Sequence, residues 1–138
     1  MNFLLDTNAV SEWVKPRPNP GLIRWMDSID EDRVFISVIT IAELRYGVER
    51  LAEGRRKAQL GLWMARELAS RFQGRTLPVN EEIAHAWGKE IASAEFAGRR
   101  SNVMDAFLAA TAAVYSLTLV TRNIIHFSHL PSVVNPWS

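Results

Sequence analysis

Apolar positions change their period along this chain, and the changes mark its elements. Residues 3 to 5 (FLL) are wholly apolar and end on Asp6, which reads as a short buried strand. Thr7 stands where a helix cap belongs, and the helix after it runs to about Val14, stopped by Pro16, Pro18 and Pro20. Asn19 reads as the next N-cap, with Pro20 at the first helical position and "GLIRWMDSI" as an amphipathic continuation. "RVFISV", residues 33 to 38, predicts a second strand. Ile41, Leu44, Val48 and Leu51 then recur at helical spacing, so a third helix is expected to run to about Gly54. A fourth covers roughly Arg56 to Phe72, and "RTLPV" is the third strand, followed by Asn80 as an N-cap. The next helix ends at Gly98, and another starts at Ser101 or Asn102 with "VMDAFLAATAAVYS". "LTLVT", residues 117 to 121, is a fourth strand, and "SVVNP" adds a fifth at the edge.

Strands alternating with helices require crossover connections. The pattern therefore predicts one α/β domain over residues 1–138, with helices on both faces of a mostly parallel sheet. A chain of 138 residues that is 48% hydrophobic, with six Phe and five Trp, can bury a core of its own. Sixteen basic against 15 acidic residues give a net charge of +1, which leaves room for a local basic patch but not for a broadly basic surface. With no cysteine there is no disulfide and no thiolate chemistry. Asp6 interrupts the early apolar run, and the run from Ala106 to Tyr115 is too short to span a bilayer. A cytoplasmic protein with no membrane contact is the expectation.

Three acids stand out against this frame. In an open parallel sheet, ligands collect beyond the carboxyl ends of the strands. Asp6 ends the first strand, and Thr121, Arg122 and Asn123 end the fourth, so both groups should open onto one edge. Asp6 also has a purely structural reading as a cap. Asp105 lies in a helix that is almost wholly apolar from Val103 to Tyr115, with Leu108, Ala109 and Ala112 on its own face. A carboxylate at the margin of a core needs a partner or a metal, although Asp105 also suits the first turn that Asn102 caps. Glu43 borders the stripe of Ile41, Leu44 and Val48, and periodicity alone favours an exposed flank residue paired with Arg45 or Arg50.

Carboxylates gathered at a sheet edge repel one another unless a cation intervenes. Oxygen ligands without cysteine suit Mg²⁺ or Mn²⁺, and such an ion supports phosphodiester hydrolysis by activated water. His126 and His129 lack the further ligands that zinc needs, and no phosphate-binding loop is present. Arg55, Arg56, Lys57, Arg99 and Arg100 are candidates for phosphate contact that also suit a solvated surface.

"FLLDTNAVSE", "SVITIAELRYG", "MDAFLAATA" and "LVTRNIIHF" occur in this order and closely resemble the PIN-domain nucleases, in particular the VapC toxins of bacterial toxin–antitoxin pairs. The resemblance implies a three-layer α/β/α fold and an Mg²⁺- or Mn²⁺-dependent endoribonuclease acting on RNA. It casts Asp6, Asp105 and Glu43 as metal-binding acids. It places Asn123, and histidine at position 126, where the family often has acids, which leaves one-metal and two-metal mechanisms open. Thr7, Asn8 and Thr121 would orient the carboxylates, and Arg122 would meet RNA phosphate. The resemblance further implies a homodimer, with much of its contact between residues 39 and 73, and inhibition by a small VapB-type antitoxin. Two alternatives stand beside it: a catalytically silent PIN fold that only binds partners, and a haloacid-dehalogenase-like phosphatase. The phosphatase would need an acid where this chain has Asn8.

Overall fold

Alternation along each strand divides the interior in two. The computed structural model describes all 138 residues. Its sheet contains β1 (Phe3–Leu5), β2 (Val34–Ser37), β3 (Thr76–Leu77), β4 (Thr118–Val120) and β5 (Val133–Val134), in the spatial order β3-β2-β1-β4-β5. Phe3, Leu5, Val34, Ile36 and Val120 point to one face, where they meet Val10, Leu22, Leu68 and Phe72. Leu4 and Leu119 point to the other, against Leu108, Ala109, Ala112 and Phe127. Successive side chains leave a strand on opposite sides, so an unbroken apolar run such as FLL feeds both halves of the core.

Helices cover both faces, giving three layers. α1 (Thr7–Trp13), α2 (Pro20–Ser28) and the helical stretch from residue 55 to 71 supply the first layer. α7 (Val103–Tyr115) lies directly on the second face, with α6 (Glu81–Phe96) packed along it. All four strand pairings are parallel, so the sheet is wholly rather than mostly parallel. "SVVNP" contributes its edge strand, with Val133 opposite Leu119.

Several boundaries differ from the sequence expectation, each for a local reason. Asp6, not Thr7, caps α1: its carboxylate accepts from the Thr7 amide, which frees the threonine hydroxyl for other work. α3 (Val38–Glu49) starts directly after β2, because the Ser37 hydroxyl accepts from the Ile39 amide and caps it. It stops at Arg50, whose N–H closes on Tyr46 and Val48, so Leu51 continues the apolar spacing from a turn. α4 (Arg55–Leu62) passes through a wide π-type segment, Trp63–Leu68, into α5 (Ala69–Arg71). Met64, Leu68 and Phe72 stay buried along this stretch at four-residue spacing, the spacing of one helical face. Gly98 follows α6 at φ +67°, as its predicted capping role requires. Trp25 packs edge-on against Phe3 and Trp13 against Phe72, so both belong to the core layer.

Chain order explains where a site can form. From β1 the chain steps outward to β2 and β3, then returns to the other side of β1 as β4. The crossovers diverge between β1 and β4, and a crevice opens at their carboxyl ends. Asp6 and Thr121 stand there.

Candidate functional site

Asp6 leaves β1 tied to β4 by its own backbone, its amide donating to the Val120 carbonyl at 2.9 Å. Its side chain is 5% exposed and has a partner on each oxygen. Oδ1 accepts from the Thr7 amide at 2.7 Å. Oδ2 accepts from the Thr121 hydroxyl at 2.7 Å and from Asn8 Nδ2 at 3.3 Å. Asp6 is therefore both a cap and a cleft residue, since the cap uses one oxygen and leaves the second facing the strand ends.

The flanking residues extend this network. Thr121, fully buried, accepts from the Asn123 amide at 2.9 Å while it donates to Asp6. Asn8 spans the crevice: Nδ2 lies 3.2 Å from the Thr121 hydroxyl, and Oδ1 accepts from the Arg122 amide at 3.3 Å. Thr7 reaches the other way, its hydroxyl donating to Glu43 Oε1 at 2.5 Å and lying 3.3 Å from that of Thr40. Glu43 is thus drawn inward to α1. Arg45 instead pairs with Glu49, and Arg50 lies over the Tyr46 ring, so neither neutralises Glu43 as the helical spacing predicted.

Asp105 arrives from the opposite layer. Asn102 caps α7 by accepting from the Met104 and Asp105 amides, which sets Asp105 in the first turn. Its side chain, 27% exposed, lies 3.4 Å from His126 Nδ1. His129 instead contacts Glu90, at 2.5 Å, so the two histidines meet different acids along one neighbouring cavity that Asp105 also lines.

An open cleft of about 380 Å³ collects these groups, with Asp6, Glu43, Asp105, Asn123, Lys15 and Arg122 among its walls. Burial, joined by the charges of Asp105 and Glu43, pushes the Asp6 pKa up to about 6, against the lowering effect of the Thr121 and Thr7 hydrogen bonds. No three His, Asp or Glu side chains stand close enough to form a ready-made metal cage. The acids share a cleft rather than one closed coordination sphere, each held by a separate element.

The donor set nonetheless suits a hard divalent ion. It is all oxygen, and Mg²⁺ keeps several waters and takes only one or two carboxylates. Asp6, paired with Asp105 or Glu43, would provide them. Ser11, Glu12 and Lys15 also line the cleft and were not singled out by sequence reasoning. They follow Asn8 by three, four and seven residues, the spacing of one helical face, so α1 and the turn after it carried a legible signal. Trp137 lines it as well, and no local pattern pointed to that.

Residues 3–131 match the PIN domain family. The chain is 38% identical to Toxin FitB of Neisseria gonorrhoeae, over 98% of each chain. It is 29% identical to VapC ribonuclease Y4jK of Sinorhizobium fredii, over 98% of this chain and 97% of that one. Its fold superposes on the crystal structure of FitAcB from Neisseria gonorrhoeae with a TM-score of 0.89, at 37% identity and covering 98% of both chains. A three-layer sheet with its acidic crevice at the β1/β4 switch point, matched over nearly the whole length, places this chain in the PIN-domain family, with the FitB and VapC toxins.

Proposed function

We propose that this protein is an Mg²⁺- or Mn²⁺-dependent endoribonuclease, the toxin of a toxin–antitoxin pair. The observation that carries the reading is Asp6. It is a buried carboxylate at the switch point whose pKa is raised to about 6 by burial, joined by the charges of Asp105 and Glu43, so a cation bound beside it would stabilise its ionised form. Such an ion supplies an activated water and charge for the phosphoryl oxygens.

The chain's own residues have separable tasks. Asp6, Asp105 and Glu43 would hold the ion through one or two carboxylates and its remaining waters. Thr121 and Asn8 fix the orientation of Asp6, and Thr7 that of Glu43. Lys15 and Arg122, on the cleft wall, offer positive charge to the RNA backbone, and Asn123 an uncharged polar contact. A relative named a VapC ribonuclease supports RNA as the substrate.

The name Toxin FitB supports the second half of the reading. A nuclease toxic to its own cell requires an inhibitor, and a small antitoxin with a basic side chain reaching the acids would block ion and substrate together. Action on cellular RNA places the protein in the cytoplasm as one PIN domain, and no helix is long and apolar enough to cross a membrane. Homodimerisation through residues 39 to 73 belongs to the same reading.

Incubating the purified protein with a pool of single-stranded RNA and Mg²⁺ or Mn²⁺ tests it. Cleavage should stop with chelator and fall by about a hundredfold or more in Asp6→Asn. Equal inertness of wild type and variant would defeat the enzyme and leave only a binding role.

A further inference from the structure

Only one residue on the wall of the acid cleft is apolar, and it is Trp137. The tail that carries it is built with care. Beyond β5, the amide of Trp137 donates to Asn135 Oδ1 at 3.0 Å, forming a tight turn. Ser138 is then clamped to the start of α2. Its hydroxyl accepts from the Gly21 amide at 3.1 Å, its carbonyl from Asn19 Nδ2 at 3.1 Å, and its amide donates to Asn19 Oδ1 at 3.1 Å. The approach is so close that a Cβ on Gly21 would lie 2.4 Å from the Pro136 carbonyl oxygen. Position 21 therefore needs glycine for room.

Trp137 is held between this clamp and the β4–β5 pairing, and it packs beside the core cluster of Phe3, Leu22 and Val120. Its indole N–H is buried without a hydrogen-bond partner. An orphaned donor costs stability, so folding alone does not account for where the ring sits. Trp137, its indole N–H buried, is the single hydrophobic residue lining a cleft that is otherwise polar and charged.

A polynucleotide in such a cleft has two kinds of surface to satisfy. Phosphates suit the ion and the cations; the π-faces of the bases need an aromatic partner. We propose that Trp137 is the stacking platform for the nucleobase next to the cut phosphodiester, held in place by the Asn19–Gly21 clamp. This rests on the ribonuclease reading above and assigns that cleft a base subsite. Stacking accepts any base, so Trp137 fixes the position of the strand without reading its sequence.

Short single-stranded RNAs carrying one abasic ribose at successive positions test the proposal on the full chain. Binding is read by fluorescence anisotropy with Ca²⁺ in place of Mg²⁺, and cleavage separately with Mg²⁺. In wild type, one abasic position should weaken binding about tenfold while its neighbours do little. Trp137→Ala should bind intact RNA about tenfold more weakly, with KM raised and kcat nearly unchanged, and show no further penalty at that position. Trp137→Phe should stay within about threefold of wild type, and Trp137→Leu, which fills the space without stacking, should behave as Trp137→Ala. The Leu variant keeps the comparison available if the Ala variant does not fold. Wild type indifferent to every abasic position, or an abasic penalty that persists in Trp137→Leu, overturns the stacking role; the latter would show that another side chain holds the base. RNA bound with the stacking pattern but never cut would overturn the nuclease and leave the subsite standing.

Discussion

Asp6 shows how much one side chain can carry. A hydrophilic residue closing an apolar strand is ambiguous by itself, because capping and chemistry ask for the same carboxylate. Its two oxygens resolve the matter, one on Thr7 and one on Thr121. Burial raises the Asp6 pKa from 3.8 to about 6, so the folded protein holds this proton more tightly than the unfolded chain does. Its contribution is therefore fully present below about pH 4 and lost as pH rises through about 6. The loss is on the order of 3 kcal/mol in the metal-free protein. Glu12 and Glu31 have lowered pKa values, through Lys15 and Arg71 respectively, and push the other way. Denaturant melts of wild type and Asp6→Asn from pH 4 to 7 without divalent ions isolate Asp6 by difference. Wild type should lose ground against the variant as pH rises, and parallel curves would contradict the assignment. Thr7 offers a second residue-scale prediction. Thr7→Val keeps the shape but leaves Glu43 without its 2.5 Å donor. RNA cleavage should fall 10- to 100-fold, by roughly the factor lost when an orienting hydrogen bond to a ligand is removed, with a melting curve little changed. Full activity in that variant would show that Glu43 needs no orientation.

Elements place these residues, and their ends matter more than their middles. Two of the three candidate acids sit at helix starts: Asp6 caps α1 and Asp105 lies in the first turn of α7, whereas Glu43 lies in the middle of α3. Asn102→Ala removes the side-chain acceptor for two amides of α7, and thermal unfolding should report a loss of about 1 kcal/mol. Because the same cap sets the first turn, cleavage should decline along with stability. Unaltered kinetics in a measurably destabilised variant would separate Asp105 from its cap. Helix spans were legible from apolar spacing, as with Asn19 and Pro20 at α2 and Asn102 at α7. Several boundaries were not. Ser37 serves strand and cap at once, and the π-type segment at Trp63–Leu68 keeps an apolar period that sequence cannot distinguish from a regular helix.

At the scale of the molecule, charge is balanced and its arrangement is local. A net charge of +1 gives no long-range pull on RNA, and the cleft itself mixes carboxylates with Lys15 and Arg122. Two cations facing a single strand predict a slope of about −1.4 for log affinity against log salt. RNA binding by Asp6→Asn should therefore weaken only about sevenfold between 50 and 200 mM salt, as titrated by anisotropy. A slope beyond about −4 would require a basic surface outside the cleft, with Arg99 and Arg100 the first to replace.

Short-range information decided most of the fold. Apolar period, proline and asparagine caps and the strand–helix alternation are properties of neighbouring residues, so they specified a parallel, layered α/β chain and singled out Asp6 and Asp105. Convergence is a different matter, because it depends on contacts between residues far apart in the chain. Glu43 read as a surface residue until a threonine 36 positions earlier proved to be its partner. Trp137 joined the cleft only because Gly21, 117 positions before Ser138, leaves room for the tail to dock. Spacing along a helix reports which face a residue occupies, but packing between layers determines what that face meets.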